Sequence, residues 1–344
     1  MRHAARFAVL GMLTAARAAP FAAAQGTAQQ TAQDTAQDTA KGLGGAAKPF
    51  GVLLLGEAGD QNWKSAVSDI CAKLGAKFPL EFAGGEADSK AMQAGLDRLQ
   101  ALGVKKIVAV PLFLSSISGM MDQDRYLFGI RKEPSKDFLD APHSLGRDLP
   151  LARLQSRVPL VLTKALDDHP LFVDILASRA KALSRDPAKE ALLLVAASPG
   201  SAKGEKEWLD NEALVAERVR QKAGFRAAGV AELRPDLPQD EREKAESSLR
   251  ALAKQLGRGT GLIVVPLELV PGYVQLRLER ALDGVFYRHD GKTVFPDSRI
   301  ARWVEETARA GATLPDMRVF KTSGQPAPAA LQAMPAPQPK EAGQ

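Results

Sequence analysis

The chain has 344 residues, 45% of them apolar, enough for two domains of ordinary size with real cores. Its net charge is +6, and it falls to +3 if a leader carrying Arg2, Arg6 and Arg17 and no acid is removed, too little to argue for nucleic-acid binding. A single cysteine, Cys71, excludes an internal disulfide, and its place between Ile70 and Leu74 in a helical pattern reads as a small buried residue.

From the start, Arg2 and Arg6, the ten-residue apolar run 7–16 and Ala22-Ala23-Ala24 before Gln25 follow the order of a cleaved export signal. The expectation is a signal peptide at 1–24 and a periplasmic or secreted mature chain with no stable membrane span, since the apolar run is too short for one. Residues 25–48 repeat TAQ and TAQD with nothing to bury and are expected to be a disordered linker; residues 317–344, rich in Pro, Ala and Gln, read as a disordered tail.

The body between them alternates. FGVLLL (50–55) is followed by a helical pattern through Trp63, Val67, Ile70 and Leu74. LEFA (80–83) precedes a helix carrying Met92, Leu96, Leu99 and Leu102, and then come KIVAVPLFL (106–114) and PLVLT (159–163). Continuous apolar strands alternating with amphipathic helices predict an α/β fold with mostly parallel sheets covered on both faces. After Asp168, His169 and Pro170 open a further helix, the pattern returns: ALLLVAASPG (191–200) echoes VLLLGEAGD (52–60), and GLIVVPLEL (261–269) echoes KIVAVPLFL, with Pro266 matching Pro111. Two similar lobes are expected, at 49–186 and 187–316, facing each other across a cleft. Ligands in open α/β sheets bind beyond the carboxyl ends of the strands, so function is sought in the loops after Leu55, Ala83, Leu114, Val195 and Leu269.

The turn after the first apolar strand, the LDRL helix end (96–99) before GVKKIVAVPLFLS, and DDHPLFVDILASRAKAL (167–183) together resemble the class II tetrapyrrole chelatases, the sirohydrochlorin cobaltochelatase and ferrochelatase family. The resemblance covers most of 50–184 and, more faintly, 190–310. It implies a tetrapyrrole or a divalent metal, Co²⁺ or Fe²⁺, as ligand, and two histidines at the site. Here the first family histidine position holds Glu57, within Gly56-Glu57-Ala58-Gly59, and the second falls at about Gly119. The matching places in the second lobe hold Ala197 and Val274. Glu86 lands where the family commonly has a glutamate after its second strand.

Metal insertion requires a ligand for the metal and a base for two pyrrole protons. Imidazole suits both, whereas a carboxylate with a reference pKa near 4 is a weaker base unless burial raises it. Glu57 and Glu86 are therefore the candidate catalytic and metal-binding groups, and Ser115, Gly119, Met120, Asp122, His169, Ala197 and Tyr273 are candidate cleft residues. His169 also reads as a helix-start residue. Met120 and Asp122 read equally as a packed and capped helix start, and His143 and His289 as solvated loop residues.

Three functional readings follow. The first is a family member that binds a tetrapyrrole or divalent metal between the lobes with weak or lost chelatase turnover. The second is a working chelatase that uses carboxylates, with His169 assisting, and the third is a partner-binding envelope protein on the same scaffold. The G-x-G-x-x-G, Walker and G-x-S-x-G patterns of phosphate binders and hydrolases are absent from the sequence.

Overall fold

The computed structural model describes residues 48–57, 59–140, 152–197, 202–235 and 237–320. The expected leader, the expected linker up to residue 47, His143, and the expected tail beyond Phe320 lie outside them. Seven strands form two sheets: β1 (Gly51–Gly56), β2 (Leu80–Gly84), β3 (Ile107–Pro111) and β4 (Leu160–Leu162) in the order β2-β1-β3-β4, then β5 (Glu190–Ala197), β6 (Ala227–Leu233) and β7 (Gly261–Leu267) in the order β6-β5-β7. All the pairings are parallel. The helices are α1 (Gln61–Gly75), α2 (Ser89–Ala101), α3 (Gly119–Leu127), α4 (Lys136–Asp140), α5 (Pro170–Leu183), α6 (Ala202–Ala223), α7 (Gln239–Leu256), α8 (Tyr273–Ala281) and α9 (Ser298–Thr313). None among the described residues is long and apolar enough to cross a membrane.

Strand alternation sorts the core. Val52 and Leu54 of β1 join Leu192 and Leu194 of β5 in one continuous apolar cluster between the sheets, while Leu53 and Leu55 face a second cluster with Leu96 and Leu99, and Leu193 and Val195 a third with Leu249 and Leu278. Both sheets are thus buried on both faces, which is why their strands read as unbroken apolar runs rather than as alternation. β6 (AAGVAEL) was not anticipated as a strand; its residues are mostly half-buried and small, and Gly229 lies under Leu252 and Leu256 of α7.

The second sheet carries a counterpart of β4. Arg288 bridges Ile263 in parallel register, and further on Val294 and Phe295 donate to the carbonyls of Glu268 and Leu269 at 2.9 and 2.7 Å. In each half the helix after this fourth segment crosses over. α5 packs on α6 and β7, and α9 packs on β3, β4 and α1, so each sheet is covered in part by a helix that follows the other one in sequence. α9 is amphipathic enough to do this, with Ile300, Trp303, Val304, Ala308 and Gly311 buried at helical spacing. A Cβ at Gly311 would meet Val108 and Thr163 at 2.6 and 2.9 Å, so a glycine there lets the helix lie close on the sheet.

Two expected boundaries shift for this reason. The second lobe's span of 187–316 includes a helix that serves the first sheet, and the tail does not begin at 317. Met317 donates to the Leu160 carbonyl, Val319 and Phe320 donate to Gly129, and the Arg318 guanidinium joins Asp316 to the carbonyls of Ser156 and Val158. Those bonds hold 316–320 against the first lobe despite a composition that reads as tail.

Candidate functional site

The carboxyl ends of β1 and β2 are tied together: Gly84 pairs with Gly56, and Gly85 donates to the Gly56 carbonyl at 2.9 Å. Gly85, at φ +131°, turns the chain where a side chain would be strained, and Asp88 then caps α2 by accepting from Lys90 and Ala91 at 2.9 and 3.0 Å. Asp60 does the same for α1, accepting from Trp63 at 2.9 Å. The two turns put Glu57 and Glu86 within electrostatic reach of each other. Both side chains are open to solvent, yet the protein crowded around Glu57 raises its carboxyl above the ordinary range, and the charge of Glu86 raises it further.

Beyond β3 the loop is braced rather than open. Buried Ser116 donates from its backbone N–H and hydroxyl to Asp167 at 2.6 and 2.7 Å and accepts from Ala165 at 2.9 Å. Buried Ser115 accepts from Ile117 at 3.0 Å, and Ser118 caps α3 through Met121 at 3.1 Å. Gly119 is the first residue of α3, and Met120 packs against the outer core of the first sheet. Asp122 holds Arg125 at 2.6 Å and also pairs with Arg131, so its charge is already compensated. His169 caps α5, its Nδ1 accepting from Leu171 at 3.2 Å. Ala197 and Tyr273 are half-buried, at the end of β5 and the start of α8. Ser115, Ser116, Asp122 and His169 therefore serve the fold of these loops. Of the candidates, Glu57 and Glu86 are the pair that the fold brings together.

The strand register gives the second sheet its counterpart. Leu55 pairs with Pro111 and Val195 with Pro266, so Gly56 corresponds to Ala196 and Glu57 to Ala197. A methyl group occupies the place of the carboxylate. At the next loop, Glu268 accepts from the N–H groups of Gly272, Val274 and Gln275 at 3.2, 2.7 and 3.1 Å and so closes the start of α8. No cluster of three or more His, Cys, Asp or Glu that could hold a metal occurs among the described residues. The pair Glu57 and Glu86 would supply two ligands, and water or the bound molecule the others.

Two buried acids carry little signal in the sequence. Asp124 of α3 is fully buried, both its oxygens have no hydrogen-bond partner among the described residues, and burial pushes it up to about 8 against the pull of Arg125. Glu212 of α6, 3% exposed, is also pushed up to about 8, by burial and by the charge of Asp167 in the other half. Each sits in a helix where the charge pattern reads as surface. Both take up protons on folding, so their contribution to stability is present below pH 4 and declines as pH rises to about 8. Glu212→Gln is expected to leave the urea midpoint nearly unchanged at about pH 4 and to raise it at about pH 8.5; equal shifts at both pH values would refute the assignment. Cys71 is half-buried, and its thiol is pushed up to about 12 by burial, which leaves it protonated and unreactive.

Two depressions on the surface lie elsewhere, one between α5 and α6 (Val173, Asp174, Arg218, Lys222) and one between α7 and α8 (Arg250, Lys254, Arg280, Asp283). Both are shallow and rimmed by charges, and neither includes Glu57 or Glu86.

The CbiX family profile matches residues 58–183, which hold α1 to α5 and β2, β3 and β4 of the first sheet. Over this segment the chain is similar to the class II chelatases. The fold of the whole agrees. SirB from Bacillus subtilis, solved with Fe³⁺, superposes with a TM-score of 0.53 at 15% identity over 77% of this chain and 96% of that one. DR2241 from Deinococcus radiodurans, described as a multi-domain protein with structural similarity to chelatases, gives a TM-score of 0.50 at 18% identity over 79% of this chain and 57% of that one. At these identities the two structures speak for the chelatase fold alone. No curated protein matches the sequence. At the places where the sequence resemblance leads one to expect histidines the chain carries Glu57 and Ala197 at strand ends and Gly119 and Val274 at helix starts.

Proposed function

We propose that this chain binds a divalent metal ion, a tetrapyrrole or both beyond the carboxyl ends of β1 and β2, in the cleft between the lobes, with weak or no chelatase turnover. The observation that carries the reading is the placement of Glu57 and Glu86 at adjacent strand ends of a chelatase fold, close enough for one charge to raise the proton affinity of the other. Two carboxylates attract Fe²⁺ or Co²⁺, though less selectively than imidazole does. The raised pKa of Glu57 makes it a better base than an ordinary carboxylate, while pulling two protons from a macrocycle still calls for a second base that the braced loop after β3 does not offer. Glu57 and Glu86 are thus metal-binding groups first. The export-like leader supports action outside the cytoplasm, where capture or delivery of the ligand suits the site better than biosynthesis.

The test is to titrate residues 25–344 with sirohydrochlorin and, separately, with Co²⁺ and Fe²⁺, following absorbance for binding and for insertion. Binding with insertion at or below the uncatalysed rate is the expected result. Fast insertion would replace this reading by a carboxylate-dependent chelatase, and no binding of either kind would leave the scaffold with a partner-binding role.

A further inference from the structure

The turn that carries Glu57 lies over an indole edge. Trp63 is 3% exposed, and its Nε1 is a buried donor with no hydrogen-bond partner among the described residues. Buried donors in native folds are rarely left unpaired, so this one calls for a partner. Its location is fixed by the glycines of the turn. A Cβ built on Gly56 would come 2.7 Å from Trp63 Cζ2, with no other indole atom among its nearest contacts, so it would meet the ring edge-on rather than over its face. A Cβ built on Gly59 would strike the Cβ–Cγ–Cδ1 corner of Trp63. Cδ1 is bonded to Nε1, and Cζ2 is two bonds from it. Nε1 therefore sits on the ring edge that runs between the contacts with Gly56 and Gly59, and Glu57 lies between those two glycines in the chain. The ring is held there by the Asp60 cap on its backbone N–H and by a T-shaped contact with Phe295, 5.5 Å between centroids and 83° between planes.

We infer that Trp63 is a positioning residue, whose indole N–H takes one carboxylate oxygen of Glu57 in the ionised, cation-loaded state and leaves the other oxygen for the divalent ion. The inference rests on the metal-binding reading of Glu57. Donors behind a ligating carboxylate orient it and stabilise its charged form, and their loss lowers metal affinity by about 10- to 100-fold. The two glycines fit this role, because any larger residue at either place would push the turn off the indole.

The experiment is calorimetric titration with Co²⁺ from pH 5.5 to 8 of the full chain, of Trp63→Phe, of a variant with benzothienylalanine at 63 (the same shape with sulfur in place of N–H), of Glu57→Ala and of Glu57→Ala combined with Trp63→Phe. Both ring variants are expected to bind about tenfold more weakly at pH 6.5, with the acid limb of their profiles moved to higher pH, and the double variant to be no weaker than Glu57→Ala alone. Retention of wild-type affinity and pH profile by the benzothienyl variant, with Glu57→Ala impaired, would overturn the role of Trp63 and leave the metal site standing. Wild-type binding by Glu57→Ala would overturn the metal reading itself and this inference with it.

Discussion

Glu57→Ala is expected to weaken Co²⁺ binding by about 100-fold or more, the loss typical of removing a ligand rather than a supporting group. The physical ground is the pairing at the strand ends: Glu57 and Glu86 share one edge, and a cation placed between them relieves the repulsion that raises the proton affinity of Glu57. The same repulsion sets the pH dependence. A proton competes with the metal for Glu57, and because its pKa is raised, binding should be lost on acidification at a higher pH than at an ordinary carboxylate site. Glu86→Gln separates the two effects. It removes one ligand charge and lowers the proton affinity of Glu57, so weaker binding should be accompanied by an acid limb moved to lower pH. Isothermal titration at several pH values reads both quantities, and an acid limb that stays in place in Glu86→Gln would show that the two carboxylates are not coupled.

Trp303→Ala should be the most damaging single change to stability. The indole is 1% exposed on α9, in the cluster shared by the two sheets, and truncation of such a side chain costs about 3–5 kcal/mol. That is a large part of the roughly 5–15 kcal/mol by which a native fold is stable. Because α9 follows the second sheet in sequence but packs on β3, β4 and α1, the damage should appear in both halves together. Urea unfolding followed by far-ultraviolet circular dichroism and by tryptophan fluorescence should show one coincident transition, moved to lower urea in the variant. Two separated transitions, with the first lobe unaffected, would show that the exchanged helices do not couple the halves. Lys106 adds a smaller tie at the same seam, its Nζ donating to the Ala312 carbonyl at 2.6 Å near the end of α9.

Much of the architecture was legible before any coordinates. β1, β2, β3, β4, β5 and β7 all fall within or close to the apolar runs, because a strand buried on both faces leaves a continuous hydrophobic signature that loops do not imitate. β6 escaped because Ala227 to Leu233 is built from small, half-buried residues with no such run. The apolar reading of 106–114 also ran past the strand, which ends at Pro111; Leu112 adds one more bond, to the Leu55 carbonyl at 2.8 Å, and Phe113 continues the burial alone. At the site, Glu57 and Glu86 could be placed at strand ends from the sequence, since position relative to a strand is a local property.

What the sequence by itself determined is the set of local facts: most of the strands, the amphipathic helices and the acidic residues that stand at strand ends. Each follows from periodicity or from spacing along the chain, which are encoded within a dozen or so neighbouring residues. Tertiary structure alone decided which of these meet. It put α5 and α9 on each other's sheets, buried Glu212 within reach of the charge of Asp167 from the other half, used Asp122 and His169 up in an ion pair and a cap, and set the indole of Trp63 against Gly56 and Gly59 on either side of Glu57. The reason is that burial and proton affinity depend on groups distant in sequence, and only the closed fold brings those groups within the few ångströms over which packing and unscreened charge act.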